Sequence, residues 1–110
     1  MLDNPSSTEA IIRDQLAQNP VILYMKGTPD APECGYSGAA VAALKQTGKP
    51  FAFVNVLQSP FIRERLPRVS NWPTFPQLFV KGELIGGSDI IVAMVGDGSL
   101  MPMLEEAEAV

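Results

Sequence analysis

The run VILYM, Val21 to Met25, offers no polar position at which the chain could face water. A short, continuous apolar run of this kind is expected of a strand buried on both faces. Asn19-Pro20 stops any helix before it. Beyond a loop, GAAVAALKQT (38–47) is rich in helix formers and small side chains, and Gly48 and Pro50 close it. FAFVNV, Phe51 to Val56, is dense in aromatic and β-branched residues and reads as a second strand. Strand, helix and strand in that order imply a right-handed parallel βαβ unit.

The remaining segments build around this unit. SSTE, Ser6 to Glu9, reads as a capping box, with Ser6 as N-cap and Ile12 and Leu16 on one helical face behind it. Ser59-Pro60 reads as an N-cap and a first-turn proline that open a helix through Leu66, which Pro67 stops or kinks. QLFV and ELIG flank Lys81-Gly82 as a hairpin. Ser88 or Asp89 caps a helix over Ile90 to Val95, broken at Gly96. Ser99 starts a last helix toward Ala107, with Pro102 tolerated in its first turn. One domain over residues 1–110 is expected, an α/β fold with a four-stranded mixed sheet and helices on both faces. That is the outline of a thioredoxin-like fold.

Composition narrows the function. A balance of 8 basic to 12 acidic residues, net charge −4, argues against a nucleic-acid partner, which needs a basic face. No apolar run approaches the roughly 20 residues of a membrane span, so no membrane role is expected. MLDNPSSTEA lacks the basic and apolar regions of a signal peptide, so a cytoplasmic address is the expectation. One cysteine and no histidine exclude an intramolecular disulfide, a Cys/His zinc site and a histidine-based triad.

The single thiol, Cys34, stands in KGTPDAPECGYS between the buried strand and the helix. Unpaired N–H groups at a helix start favour an anion, and Lys26 at the strand end adds positive charge, so the thiolate is stabilised. An inert, packed cysteine is the alternative. NWPTFPQLF, Asn71 to Phe79, sets Pro76 at a strand start. A cis Phe75–Pro76 bond would turn the Phe75 backbone outward, free to pair with a bound peptide; a trans turn proline is the plainer reading. GGSD, Gly86 to Asp89, allows close backbone approach and offers N–H donors to a carboxylate, or is simply a loop and a cap.

Together these stretches resemble the monothiol glutaredoxins. KGTPDAPECGYS is similar to the family's Lys-Gly-Thr-Pro…Cys-Gly-Phe-Ser loop, WPTFPQLF to its Trp-Pro-Thr-aromatic-Pro-Gln-Leu segment, and GGSD to its Gly-Gly-x-Asp turn. The resemblance implies that Cys34 is the active thiol and that glutathione lies beside it. The cysteinyl backbone of glutathione would meet Phe75, followed by a cis Pro76. Its glycine carboxylate would lie near Lys26 and Arg63, and its γ-glutamyl end near Ser88 and Asp89. Thr74 and Gly87 would support them, and Trp72 either packs beside the groove or is a plain aromatic. Tyr36 stands where the family has Phe, and Ser88 where many relatives carry a second cysteine.

Ser37 is no thiol, which closes the dithiol route. A [2Fe–2S] cluster commonly takes four thiolates. The resemblance implies that Cys34 from each of two chains and two glutathiones supply them, in a cluster-bridged homodimer. The expectation is a carrier of iron–sulfur clusters that works with a BolA-like partner and apo iron–sulfur proteins. A glutathione-dependent oxidoreductase that deglutathionylates proteins is the alternative, and a fold-only adaptor with a relic thiol is a third class.

Overall fold

Strand β1 (Val21–Met25) sends alternate side chains to opposite sides of a sheet, and all five are buried. Val21, Leu23 and Met25 join one core with Val41 and Leu44 of helix α2 (Gly35–Gln46). Ile91 of α4 (Ser88–Gly96) and Leu104 of α5 (Leu100–Glu108) complete that side. Ile22 and Tyr24 enter a second core with Ile12 of α1 (Pro5–Gln18) and with Ile62 and Leu66 of α3 (Pro60–Ser70). The apolar run lacks a polar phase because both faces of the strand are covered. The coordinates are a computed structural model that describes residues 5–108.

The sheet has the order β4-β1-β5-β6, with β4 at Ala52–Asn55, β5 at Gln77–Val80 and β6 at Glu83–Gly86. β1 and β4 are parallel, in register from Ile22↔Ala52 to Met25↔Asn55, with α2 as the crossover. β5 runs antiparallel to β1 and to β6, completing the expected hairpin around Lys81 and Gly82, both at positive φ. The four-stranded mixed sheet with helices on both faces is thus the thioredoxin-like architecture expected from the order of elements.

Five local features differ from or extend the expectation. Helix α1 begins at Pro5, so Ser6 lies inside the first turn and is not its N-cap; Asn4 lies outside the described residues. Proline is well suited to the first turn, where its missing N–H has no helical partner. Helix α3 runs through Pro67 to Ser70 and ends at Asn71 in the left-handed conformation (φ 56°). The cap of α4 is Gly87, not Ser88 or Asp89, which are the first helical residues. A two-stranded ribbon, β2 (Gly27–Thr28) with β3 (Ala31–Pro32), fills the loop between β1 and α2. Between β4 and α3, Val56–Gln58 form one 3₁₀ turn.

Tyr24 ties the second core together. Its ring meets Phe79 edge-on at 5.7 Å, and its hydroxyl donates to Oε1 of Gln15 at 2.8 Å. Burial raises the phenol pKa above its ordinary value. The folded state therefore keeps this proton where the unfolded chain releases it. The stabilisation is complete below about pH 10 and is lost as pH rises beyond it. Urea midpoints measured at increasing pH should fall above about pH 10, and the fall should be shallower in Tyr24→Phe, which has no proton to lose.

Candidate functional site

Cys34 is the N-cap of α2, with an extended backbone (φ −157°, ψ 136°), and is half-buried. Its pKa lies below that of an ordinary thiol. The largest cause is the backbone N–H of Ser37, then that of Tyr36; desolvation opposes them, and the Lys26 ammonium and the Ser37 hydroxyl add to the lowering. The sulfur closes no formal cap hydrogen bond, so the first-turn N–H groups act on it as oriented dipoles.

The loop that presents the thiol is tied down from several directions. Ser37 is fully buried, and its Oγ accepts the Lys26 N–H at 3.1 Å, joining the end of β1 to the first turn of α2. Oδ1 of Asn55 accepts from the N–H of Gly27 at 2.9 Å and of Leu57 at 3.0 Å, which fixes the loop to the end of β4. The Glu33 N–H returns to the Lys26 carbonyl at 2.9 Å. Gly27 has φ +92°, and a Cβ there would lie 2.6 Å from the Ala31 oxygen and the Glu33 nitrogen. Only glycine fits that close approach.

A groove of about 830 Å³ opens beside Cys34. Lys26 from the end of β1, Arg63 from α3, Phe75 and Pro76 from the segment before β5, and Ser88 and Asp89 from the start of α4 all line it. The structure thus gathers every expected site residue around one concavity, together with Thr74, Gly87 and Trp72. Among the described residues neither Lys26 nor Arg63 is ion-paired. The Phe75–Pro76 peptide is cis. The ladder with β1 ends at Gln77, so Phe75 lies outside the sheet. Trp72 is half-buried and packs against Gly87, where a Cβ would come within 3.3 Å of both the indole nitrogen and the Pro76 oxygen.

Sequence reasoning missed three contributors. Ser37 carries a structural bond and is more than an absent thiol. Gln77 is fully buried, and its Nε2 donates to the carbonyls of Trp72 at 2.9 Å and Thr74 at 3.1 Å. A second concavity of about 600 Å³ also borders the thiol, with Tyr36, Ala39, Val92 and Ala93 in its wall. Tyr36 borders both concavities and is 67% exposed, so solvent reaches its hydroxyl. A polar residue inside the motif segment is the one signal that pointed to Gln77.

A thiol of lowered pKa at a helix N-cap, beside a groove whose cations are not ion-paired among the described residues, stands on a thioredoxin-like fold. The family model described as Glutaredoxin matches residues 21–85. The chain is 51% identical over 104 residues to glutaredoxin 4 of Escherichia coli strain K12, covering 94% of this chain and 90% of that one. It is 58% identical over 88 residues to a probable monothiol glutaredoxin, GrlA, of Legionella pneumophila, covering 80% of this chain and 99% of the other. Among solved structures, reduced apo GrxS14 of poplar superposes with a TM-score of 0.81 at 38% identity, over 100% of both chains. A buckwheat glutaredoxin–glutathione complex gives 0.83 at 25% identity, over 96% of this chain and 94% of that one. The chain belongs to the glutaredoxin family, in its monothiol branch.

The thiol chemistry is directly measurable. Alkylation of Cys34 by iodoacetamide, followed against pH, should show a midpoint below that of a free thiol. Lys26→Ala should move the midpoint upward, because one stabilising charge is gone. An unshifted midpoint in wild type would refute the electrostatic reading of the N-cap.

Proposed function

We propose that the protein binds glutathione in the groove beside Cys34 and, as a homodimer, carries a [2Fe–2S] cluster to apo-proteins. The observation that carries the reading is the pairing of one accessible thiol with a groove lined by uncompensated cations and a helix start. Glutathione has two carboxylates, one free amine and a peptide backbone, and the groove has a counterpart for each. The Lys26 and Arg63 cations take the glycine carboxylate, and the N–H groups at the start of α4, Ser88 among them, take the γ-glutamyl carboxylate. The Asp89 carboxylate accepts from the amine, and the backbone of Phe75, ahead of Pro76, meets the cysteinyl unit. The buckwheat relative was solved as a glutathione complex, which supports the same use of the groove here.

A count of sulfurs supports the cluster reading. Among the described residues no group of three or more Cys, His, Asp or Glu side chains is arranged to hold a metal. One chain offers one thiolate, Cys34, and in this reading two chains and two glutathiones together supply the four sulfurs, as the resemblance to monothiol glutaredoxins implies. A cluster held partly by a small molecule is cargo that leaves readily. Apo iron–sulfur proteins as recipients, a BolA-like partner and a cytoplasmic location complete the reading. Among the described residues no helix is long and apolar enough to cross a membrane.

The lowered thiol pKa favours a second reading, a glutathione-dependent oxidoreductase. The Cys34 thiolate attacks the glutathione sulfur of a glutathionylated protein, and the protein thiolate leaves. A second glutathione thiolate then attacks the Cys34 mixed disulfide, giving glutathione disulfide and restoring the Cys34 thiolate.

Anaerobic incubation with iron, sulfide and glutathione should give a coloured dimer, and Cys34→Ser should stay colourless. A colourless monomer that exchanges glutathione disulfides rapidly would replace the carrier by the oxidoreductase. In calorimetric titrations, Lys26→Ala and Arg63→Ala should each weaken glutathione binding roughly tenfold. Unchanged affinity in both would overturn the carboxylate assignment.

A further inference from the structure

Gln77 is placed oddly for a residue that touches no ligand. Its side chain is fully buried in the first position of β5 and does not line the groove. Its Nε2 faces two backbone carbonyls, those of Trp72 and Thr74, so the nitrogen end of the amide is defined by its partners. Its Oε1 has no hydrogen-bond partner among the described residues. An apolar side chain of similar size would fill the space without a stranded acceptor. What the amide adds is its pair of N–H donors.

Those donors set the direction of a third group. Phe75–Pro76 is the one cis peptide among the described residues, so the Thr74–Phe75 peptide is trans. In a trans peptide the C=O and the following N–H point in opposite directions. The Thr74 carbonyl points inward to Gln77. The Phe75 N–H therefore points outward, on the side where Thr74 and Phe75 line the groove. Among the described residues nothing in the protein accepts from it.

We propose that Gln77 is a positioning residue: by holding the carbonyls of Trp72 and Thr74, it aims the free N–H of Phe75 into the groove as the donor to a carbonyl of the bound peptide. The proposal rests on the glutathione reading and adds to it the residue that orients its central contact. Gln77 touches neither the thiol nor the ligand. Its effect is on recognition, and Cys34 keeps its reactivity without it.

The test uses S-methylglutathione, which has no free thiol, and isotope-labelled full-length protein. In wild type the Phe75 amide should exchange rapidly with solvent when free and become protected and shifted on binding. Gln77→Met, similar in size but without donors, should bind about fivefold more weakly and lose the Phe75 protection. Its Cys34 alkylation rate and pH profile should match wild type, which a general loosening of the site would not allow. Gln77→Glu, which keeps the shape and removes the amide donors, is the second variant. Slow exchange of the Phe75 amide in the free wild-type protein would overturn the proposal whether or not the variants fold. So would unchanged affinity and protection in both variants. Failure of wild type to bind S-methylglutathione at all would instead defeat the glutathione reading, while the exchange rate of free Phe75 still decides the orientation.

Discussion

The parallel pairing of β1 with β4 forces the chain to cross the sheet between them, and helix α2 is that crossing. A helix that returns from the end of one parallel strand must begin near that end. The N-terminus of α2, with its unpaired N–H groups, therefore lies beside Lys26 at the end of β1. Cys34 occupies the junction as N-cap. The acidity of the thiol is in this sense a product of topology. The sheet brings a cation and a helix start together, and the sulfur responds to both.

The groove has the same origin. β5 lies beside β1 on the side away from β4, so the segment entering β5 comes past the same end of the sheet. Helix α4 follows directly on β6, and its packing against α2 brings Ser88 and Asp89 to the thiol. Segments far apart in the chain meet because each precedes or follows a strand at one edge of the fold. Gly87 lets this happen at short range, since a side chain there would displace Trp72 or the Pro76 carbonyl. The result is one cleft with donors, cations and a carboxylate in its wall, and very little else charged.

Much of this was legible from local pattern. The βαβ unit, the hairpin, the first-turn prolines and the three motif stretches are each written in short runs of residue type. The misreadings were also local. Ser6 has a capping sequence, but the helix starts earlier at Pro5. Pro67 removes one N–H, yet α3 continues to Ser70. The features that escaped depend on partners far along the chain. Asn55 reaches across 28 positions to Gly27, and Ser37 across 11 to Lys26. No periodicity announces such a bond, because the side chain serves a backbone that only the folded topology brings near.

Trp72 is the only tryptophan in the chain, and it forms part of the groove wall with its indole nitrogen buried and without a partner among the described residues. Indole emission, excited at the red edge where Tyr24 and Tyr36 absorb little, therefore originates at one address. Light emitted by that ring reports on the cleft, so the site carries its own built-in optical label.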